Sequence, residues 1–196
     1  AVDREKRYGD GDIDFYNWVD GEQVFRMLFP WSDEGLIAKK IASHGWLPPD
    51  NKSHRCPDAT YGMEDRCRID RIIDECEALG IEIDRKKFKI RVQYAANITI
   101  PKEDDTAVKI VMLPAMVYDW IQKQQSYKKL DVDNYEKGYL ISVVKTGTGM
   151  DTKYACSFEP ESIPQTDAWA EDILGKLHDL DEVFGWNEKQ DNNNRA

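Results

Sequence analysis

The sequence predicts a mainly β domain with helices: a small antiparallel barrel that carries a helical insertion and a C-terminal helix. Three observations predict it. Over Phe88–Ile100, Phe88, Ile90, Val92, Tyr94, Ala96, Ile98 and Ile100 alternate with Lys89, Arg91, Gln93, Ala95, Asn97 and Thr99. This is the two-residue period of a strand, long enough to curve around a barrel. Tyr139–Lys145 and Thr152–Phe158 are strand-like segments on either side of TGTGM, the pattern of a hairpin. Thr166–Phe184 carries Trp169, Ile173, Leu177, Leu180 and Phe184 at helical spacing.

The remaining elements follow in chain order. Residues 1–14 are polar and rich in Gly and Asp, a loose lead-in that extends to about residue 19. Glu22–Phe29 (EQVFRMLF) reads as a strand, and Leu36–Ser43 (LIAKKIAS) reads better as a strand than as a short helix. Residues 45–66 hold Pro48, Pro49 and Pro57 with little periodicity, so a loop is expected there, and a loop of that length is usually functional. Cys67–Leu79 reads as a helix with Ile69, Ile72, Ile73, Cys76 and Leu79 on one face and Gly80 as its stop. Val108–Met112 is a further strand, and Pro114–Gln124 a helix with proline in its first turn. Thr166 is suited to cap the last helix, and Asp167 suits its positive N-terminus. Residues 187–196 are a polar tail. This order fits an antiparallel barrel of the OB type better than a βαβ sheet. The expected organisation is one core over 20–186 with an insertion at about 44–80.

Composition narrows the function classes. The 196 residues are 41% hydrophobic and 33% charged with both signs mixed, which supports one core and excludes a disordered chain. No apolar run reaches the roughly 18 residues of a membrane span, and no signal peptide is visible. Four sparse cysteines point to reduced thiols in a cytoplasmic setting rather than a disulfide scaffold. The net charge of −10 is uneven: residues 1–36 carry −5, 37–91 carry +2, 92–150 are neutral and 151–196 carry −7. Fields are local over a Debye length of about 8 Å, so a basic groove in the middle of an acidic chain is physically reasonable.

A metal site is legible between residues 44 and 70. His44 (SHGW), Cys56 (RCPD), Cys67 and Asp70 (CRID) fall within this stretch, and zinc prefers four tetrahedral ligands of these kinds. By residue type Cys76 is the obvious fourth ligand, but nine helical residues separate it from Cys67 by about 13 Å. Asp70, three residues on, reaches more easily. His54 is an alternative to His44, two residues from Cys56. The competing reading makes the cysteines buried hydrophobes and His44 a surface turn residue.

Single-strand binders combine a basic groove with aromatic rings on which bases stack. Arg66, Arg68 and Arg71 flank the metal candidates, and Lys86, Lys87, Lys89 and Arg91 lead into the long strand. Trp31, Trp46 and Tyr61 fall in predicted loops. Tyr94 shares a strand face with Phe88 and Val92, so strict alternation buries it unless a bulge shifts the register. The competing reading is a solvated charged face with loop aromatics packed on the core. TGTGM lacks GxxxxGK[ST] and a following helix, so its glycines are turn glycines. No GxSxG or HExxH occurs, and no enzyme is expected.

Taken in order, VFRMLFP, SHGW, the cysteine of RCPD, CRID, FKIRVQYAANI and VVKTGTGMDTKYACSFEPESIP resemble the core domain of the single-stranded DNA-binding, helix-destabilising proteins of tailed phages of the T-even type, over about residues 20–184. The resemblance implies an OB-fold core and one structural zinc per chain. It also implies sequence-tolerant binding of single-stranded DNA in phage DNA replication, recombination and repair, in the cytoplasm of the infected bacterial host. By position the zinc ligands are His44, Cys56 and Cys67, with Asp70 where the family has its last cysteine. Arg91 and Tyr94 fall on the DNA-facing strand. Self-association along DNA and contacts with phage replication and recombination proteins are implied likewise, without a membrane. The family's basic N-terminal arm corresponds here to a lead-in with Arg4, Lys6 and Arg7 among acids, and its acidic tail to a chain that ends NNNRA. A non-enzymatic interaction module of a phage replication complex is the alternative expectation, and a metal-dependent nuclease ranks third.

Overall fold

The computed structural model describes residues 13–32, 34–47, 52–64, 67–85 and 88–185, without the side chains of Trp46, Leu47, Lys52 and Met150. The chain divides into two compact units. One combines residues up to Lys39 with Tyr94–Val183, and the other combines Lys40–Gln93 with the residues from Phe184 onward. No helix among the described residues is long and apolar enough to cross a membrane.

The first unit is built on a sheet whose strands run in the order β1 (Phe15–Tyr16), β6 (Asp104–Pro114), β5 (Ile90–Ile100, from Tyr94 on), β2 (Gly21–Met27), β7 (Ile141–Thr146) and β8 (Lys153–Phe158). β2 pairs antiparallel with both β5 (Arg26 opposite Thr99) and β7 (Val24 opposite Ser142), and β7 pairs with β8 through the expected hairpin. β1 runs parallel to β6, with Phe15 opposite Ile110. The sheet is therefore mixed, and the expectation of a purely antiparallel arrangement is corrected at this edge. The core lies on one side of β2, β5 and β7, where Phe25, Ile98 and Ile141 meet Val117 and Ile121 of α3 (Ala115–Lys128). Pro114 stands at the N-cap of α3, a position where a missing N–H costs nothing.

The expected C-terminal helix is two helices, α4 (Asp167–Leu174) and α5 (Leu180–Phe184). Thr166 caps α4 by accepting the Trp169 N–H at 3.2 Å. Gly175 ends that helix. The Asn97 amide then binds the backbone carbonyl of His178, its oxygen accepts the His178 N–H, and this holds the segment out of helical form. Asp179 starts α5 by accepting the N–H groups of Asp181 and Glu182. Apolar periodicity runs through the break because Ile173, Leu180 and Phe184 are all buried, whichever backbone carries them.

Just before α4, Ile163 and Gln165 donate to the carbonyls of Gly138 and Tyr135. A Cβ at Gly138 would run into the backbone of Ile163 and Pro164, and its φ of +65° also disfavours other residues. Arg26, 2% exposed, holds the same junction. Its guanidinium donates to both oxygens of Asp105 and to the Ile163 carbonyl, and lies 5.1 Å over the Trp169 ring. The half-buried Asp105 carboxylate also accepts the Thr99 hydroxyl and the Gln165 amide, so both of its oxygens are bonded.

The second unit holds β3 (Lys39–Leu47), β4 (Lys52–Arg55), α1 (Pro57–Tyr61) and α2 (Arg68–Ala78). β3 and β4 pair antiparallel, with Ser43 opposite Arg55 and His44 opposite His54. Among its described residues, the loop expected over 45–66 instead holds the end of β3, the strand β4 and the helical turn α1. Neither β4 nor α1 is long enough to show a period, and proline is acceptable at the first helical position, where Pro57 stands. α2 appears as expected, with Gly80 left-handed at φ +71° beyond its end.

Candidate metal centre and nucleic-acid surface

Three of the four metal candidates, Cys56, Cys67 and Asp70, sit where a helix begins. His44 is in β3, opposite His54, the third residue of the returning β4. Cys56 follows β4 directly and is the N-cap of α1, where its sulfur accepts the Ala59 N–H at 3.4 Å. Cys67 is the N-cap of α2, and Asp70 lies in the first turn of that helix. Backbone bonds hold the three elements together: Cys56 N–H donates to the Ala42 carbonyl, and the Thr60 hydroxyl bridges the Ala42 N–H and C=O. The Asp58 carboxylate accepts the Cys67 N–H at 3.0 Å, which fixes the start of α2 against α1.

The result is one cluster. The ligand atoms of His44, Cys56, Cys67 and Asp70 all lie within 4.8 Å of one another. His44 Nε2 is 3.1 Å from Cys67 Sγ and 3.6 Å from Asp70 Oδ1, and Cys56 Sγ is 3.5 Å from Asp70 Oδ2. Nitrogen, oxygen and sulfur ligands held tetrahedrally at zinc bond lengths stand roughly 3.4–3.8 Å apart, so a small contraction or expansion suits an ion. The imidazole is oriented for this. His44 Nδ1 is 2.9 Å from the Phe88 carbonyl, which can only accept, so Nδ1 carries the proton and the Nε2 lone pair faces the cluster. His44, Cys56 and Cys67 are fully or almost fully buried, so the reading of His44 as a surface turn residue is excluded. Without a cation, burial pushes the Cys67 thiol up to about 12 and raises that of Cys56. A bound divalent cation reverses this balance by favouring thiolates. Asp70 is the fourth member of the cluster; Cys76 is half-buried farther along α2, and His54 lies outside it.

The nucleic-acid candidates are spread over both units. In the second, Arg68 and Arg71 are exposed on α2, and Lys89 and Arg91 are exposed where β5 begins. Tyr61 ends α1 rather than lying in a loop. Its hydroxyl donates to the Phe184 carbonyl at 2.6 Å and accepts from Arg55 at 2.8 Å. Arg66, Lys86 and Lys87 lie outside the described residues, as does the side chain of Trp46. In the first unit, the half-buried Trp31 donates its indole N–H to Asp181, a carboxylate also paired with Lys39. Tyr94 is half-buried against the core and stacks on Tyr118, ring centroids 3.9 Å apart. Along β5, Lys89, Arg91 and Gln93 are exposed while Ile90, Val92 and Tyr94 are half-buried. Alternation holds here, so Arg91 and Tyr94 face opposite sides of one strand.

Sequence reasoning missed the residues that support the cluster. Asp58, Thr60 and the Phe88 carbonyl act through contacts that no spacing rule encodes. Only Asp58, in the first turn after a proline, carries a local signal.

A family model described as "gp32 DNA binding protein like" matches residues 19–195. No curated protein matches the chain.

Proposed function

The chain belongs to the family of gp32-like DNA-binding proteins, and on that premise we propose that it binds single-stranded DNA without sequence preference, as a non-enzymatic component of phage DNA replication, recombination and repair. The match over residues 19–195 carries this reading. The exposed cations Arg68, Arg71, Lys89 and Arg91 support it, since phosphate contacts dominate single-strand affinity. With them we group Arg66, Lys87, Trp31, Trp46, Tyr61 and Tyr94 as candidate DNA contacts. The cytoplasm of an infected bacterium is the corresponding setting. Other copies along the strand and phage replication and recombination proteins are the corresponding partners.

In this reading the cluster of His44, Cys56, Cys67 and Asp70 holds one structural zinc. Four protein ligands complete a tetrahedral shell and leave no open position for substrate, which argues against metal-dependent catalysis. Zinc would supply a redox-inert crosslink between the β3–β4 hairpin and the starts of α1 and α2. We also read the chain as one OB-type core over 20–186 with a metal-binding insertion at about 44–80.

The test is fluorescence titration with oligothymidine at two salt concentrations, using the six tryptophans and nine tyrosines as reporters. Tight quenching that weakens steeply with salt is expected. Absence of quenching at low salt, or a preference for duplex, overturns the reading. The interaction-module alternative then takes its place.

A further inference from the structure

Arg55 ends β4, Cys56 caps α1, and Tyr61 is the last residue of that helix. Cys56 faces the metal cluster, whereas Arg55 and Tyr61 bind the end of α5. The Tyr61 hydroxyl donates to the Phe184 carbonyl at 2.6 Å and has the Gly185 carbonyl at 3.2 Å. Arg55 Nη1 donates to the same Phe184 carbonyl at 3.1 Å and to the Tyr61 hydroxyl at 2.8 Å. The Arg55 guanidinium also lies 5.6 Å from the centre of the Phe184 ring. Phe184 is fully buried and falls in the same compact unit as residues 55–61. Carbonyls at the end of a helix have no partner within it, and here the turn that carries Cys56 supplies their donors.

α1 cannot provide this hold by itself, because a single helical turn is marginal in water. It is tied at its start by the Cys56 sulfur, which accepts the Ala59 N–H, and near its end by the Thr60 hydroxyl on the backbone of Ala42. The Cys56 sulfur is therefore both helix cap and metal ligand. With a cation in the cluster it is a thiolate fixed beside His44, Cys67 and Asp70, and an ionised acceptor caps an N–H more strongly than a neutral one. Without a cation that tie is lost, and the Asp70 carboxylate stands 3.5 Å from a thiol whose burial disfavours its ionised form. A bound ion fixes Cys56, Cys56 fixes the turn, and the turn presents Tyr61 and Arg55 to Phe184.

We infer that residues 55–61 form a metal-dependent clamp on the end of α5: an occupied cluster holds Phe184 and Gly185 in place, and metal loss releases them. The inference rests on the zinc reading of the cluster. It gives the Tyr61 hydroxyl, as distinct from the Tyr61 ring, a positioning task. By linkage the clamp strengthens metal binding by the factor by which metal strengthens the clamp.

The test is hydrogen exchange of the full chain, read by mass spectrometry in zinc-loaded and metal-stripped forms, on peptides over α5 with the β7–β8 hairpin as reference. Cobalt(II) titration, read by thiolate charge-transfer absorption, reports in parallel whether metal binds. Metal removal is expected to speed exchange in α5 by about tenfold and to leave the hairpin unchanged. Tyr61→Phe keeps the ring and removes only the hydroxyl. It is expected to speed exchange in α5 of the loaded chain roughly fivefold with the cobalt spectrum unaltered, and to add little in the stripped chain. Arg55→Gln is the second variant, with the same expectation. Failure to bind cobalt overturns the zinc reading and the clamp with it. Cobalt binding with α5 exchange indifferent to metal overturns the clamp alone, as does an equal effect of Tyr61→Phe with and without metal. Equal acceleration of α5 and the hairpin on metal removal also overturns it, since the ion then holds the fold in general.

Discussion

Asp70 is the carboxylate member of the cluster, and the geometry around it accommodates a cysteine in its place. Its carboxylate lies 3.5–3.6 Å from Cys56 Sγ and His44 Nε2, so a shorter thiolate arm from the same helical position still points inward. Thiolate is a softer and better zinc ligand than carboxylate. Asp70→Cys is expected to tighten zinc binding by roughly tenfold or more in chelator competition. No change in affinity would remove Asp70 from the coordination shell. A second residue-scale prediction concerns Asp133. Burial, then a hydrogen bond with Asp131, raises its carboxyl to about 6 from an ordinary value near 3.8. The folded chain thus holds this proton more tightly than the unfolded chain. The associated stability is full below about pH 4 and is lost as pH rises toward 6 and above. Asp133→Asn is expected to raise stability at pH 7 by about 1 kcal/mol, discounted for partial exposure, and to have little effect near pH 4. A thermal melt at the two pH values checks this, and an equal gain at both would refute the titration argument.

At the scale of elements, the chain uses side chains of one element to hold the end of another. The junction before α4 is an example. Arg26 from β2, Thr99 from β5 and Gln165 converge on Asp105 at the start of β6. Removing Asp105 leaves the Arg26 guanidinium buried without its counter-charge, a change that costs about 3–5 kcal/mol in comparable settings. Asp105→Ala is therefore expected to lower the denaturant midpoint sharply. If it unfolds within about 0.5 kcal/mol of the wild type, the pair does not hold the junction. The break between α4 and α5 has the same logic. Asn97 reaches from β5 to the backbone of His178, and Asp179 restarts the helix one residue later.

At the scale of the whole molecule, the net charge of −10 and a family that binds DNA stand in tension. The tension is eased by segregation, since residues 37–91 carry +2 while both ends are acidic. Binding must then depend on a few local cations working against a repulsive surround, which makes it unusually sensitive to each. Arg91→Ala is expected to weaken oligonucleotide binding alike for all sequences and to lower the slope of log K against log salt by about 0.7. An effect confined to one sequence, or an unchanged slope, would show that Arg91 does not contact phosphate.

Alternating and helical periods by themselves determined β5 and α2, because each is long enough to repeat its pattern, while β2 was legible as an apolar segment, the β7–β8 hairpin through TGTGM and α3 through Pro114 at its start. The spacing of His44, Cys56 and Cys67 was legible, with Asp70 reaching more easily than Cys76 as the fourth member, and the structure brings His44, Cys56, Cys67 and Asp70 together. What only the tertiary structure decided were features whose cause lies far along the chain. β4 and α1 are too short to show a period, and the α4–α5 break is set by Asn97 on a distant strand. The parallel β1–β6 pair depends on register with residues nearly a hundred positions away. The exposure of Ile72 and Leu79 was equally hidden, because an amphipathic pattern states that a helix has an apolar face and says nothing of what, if anything, covers it.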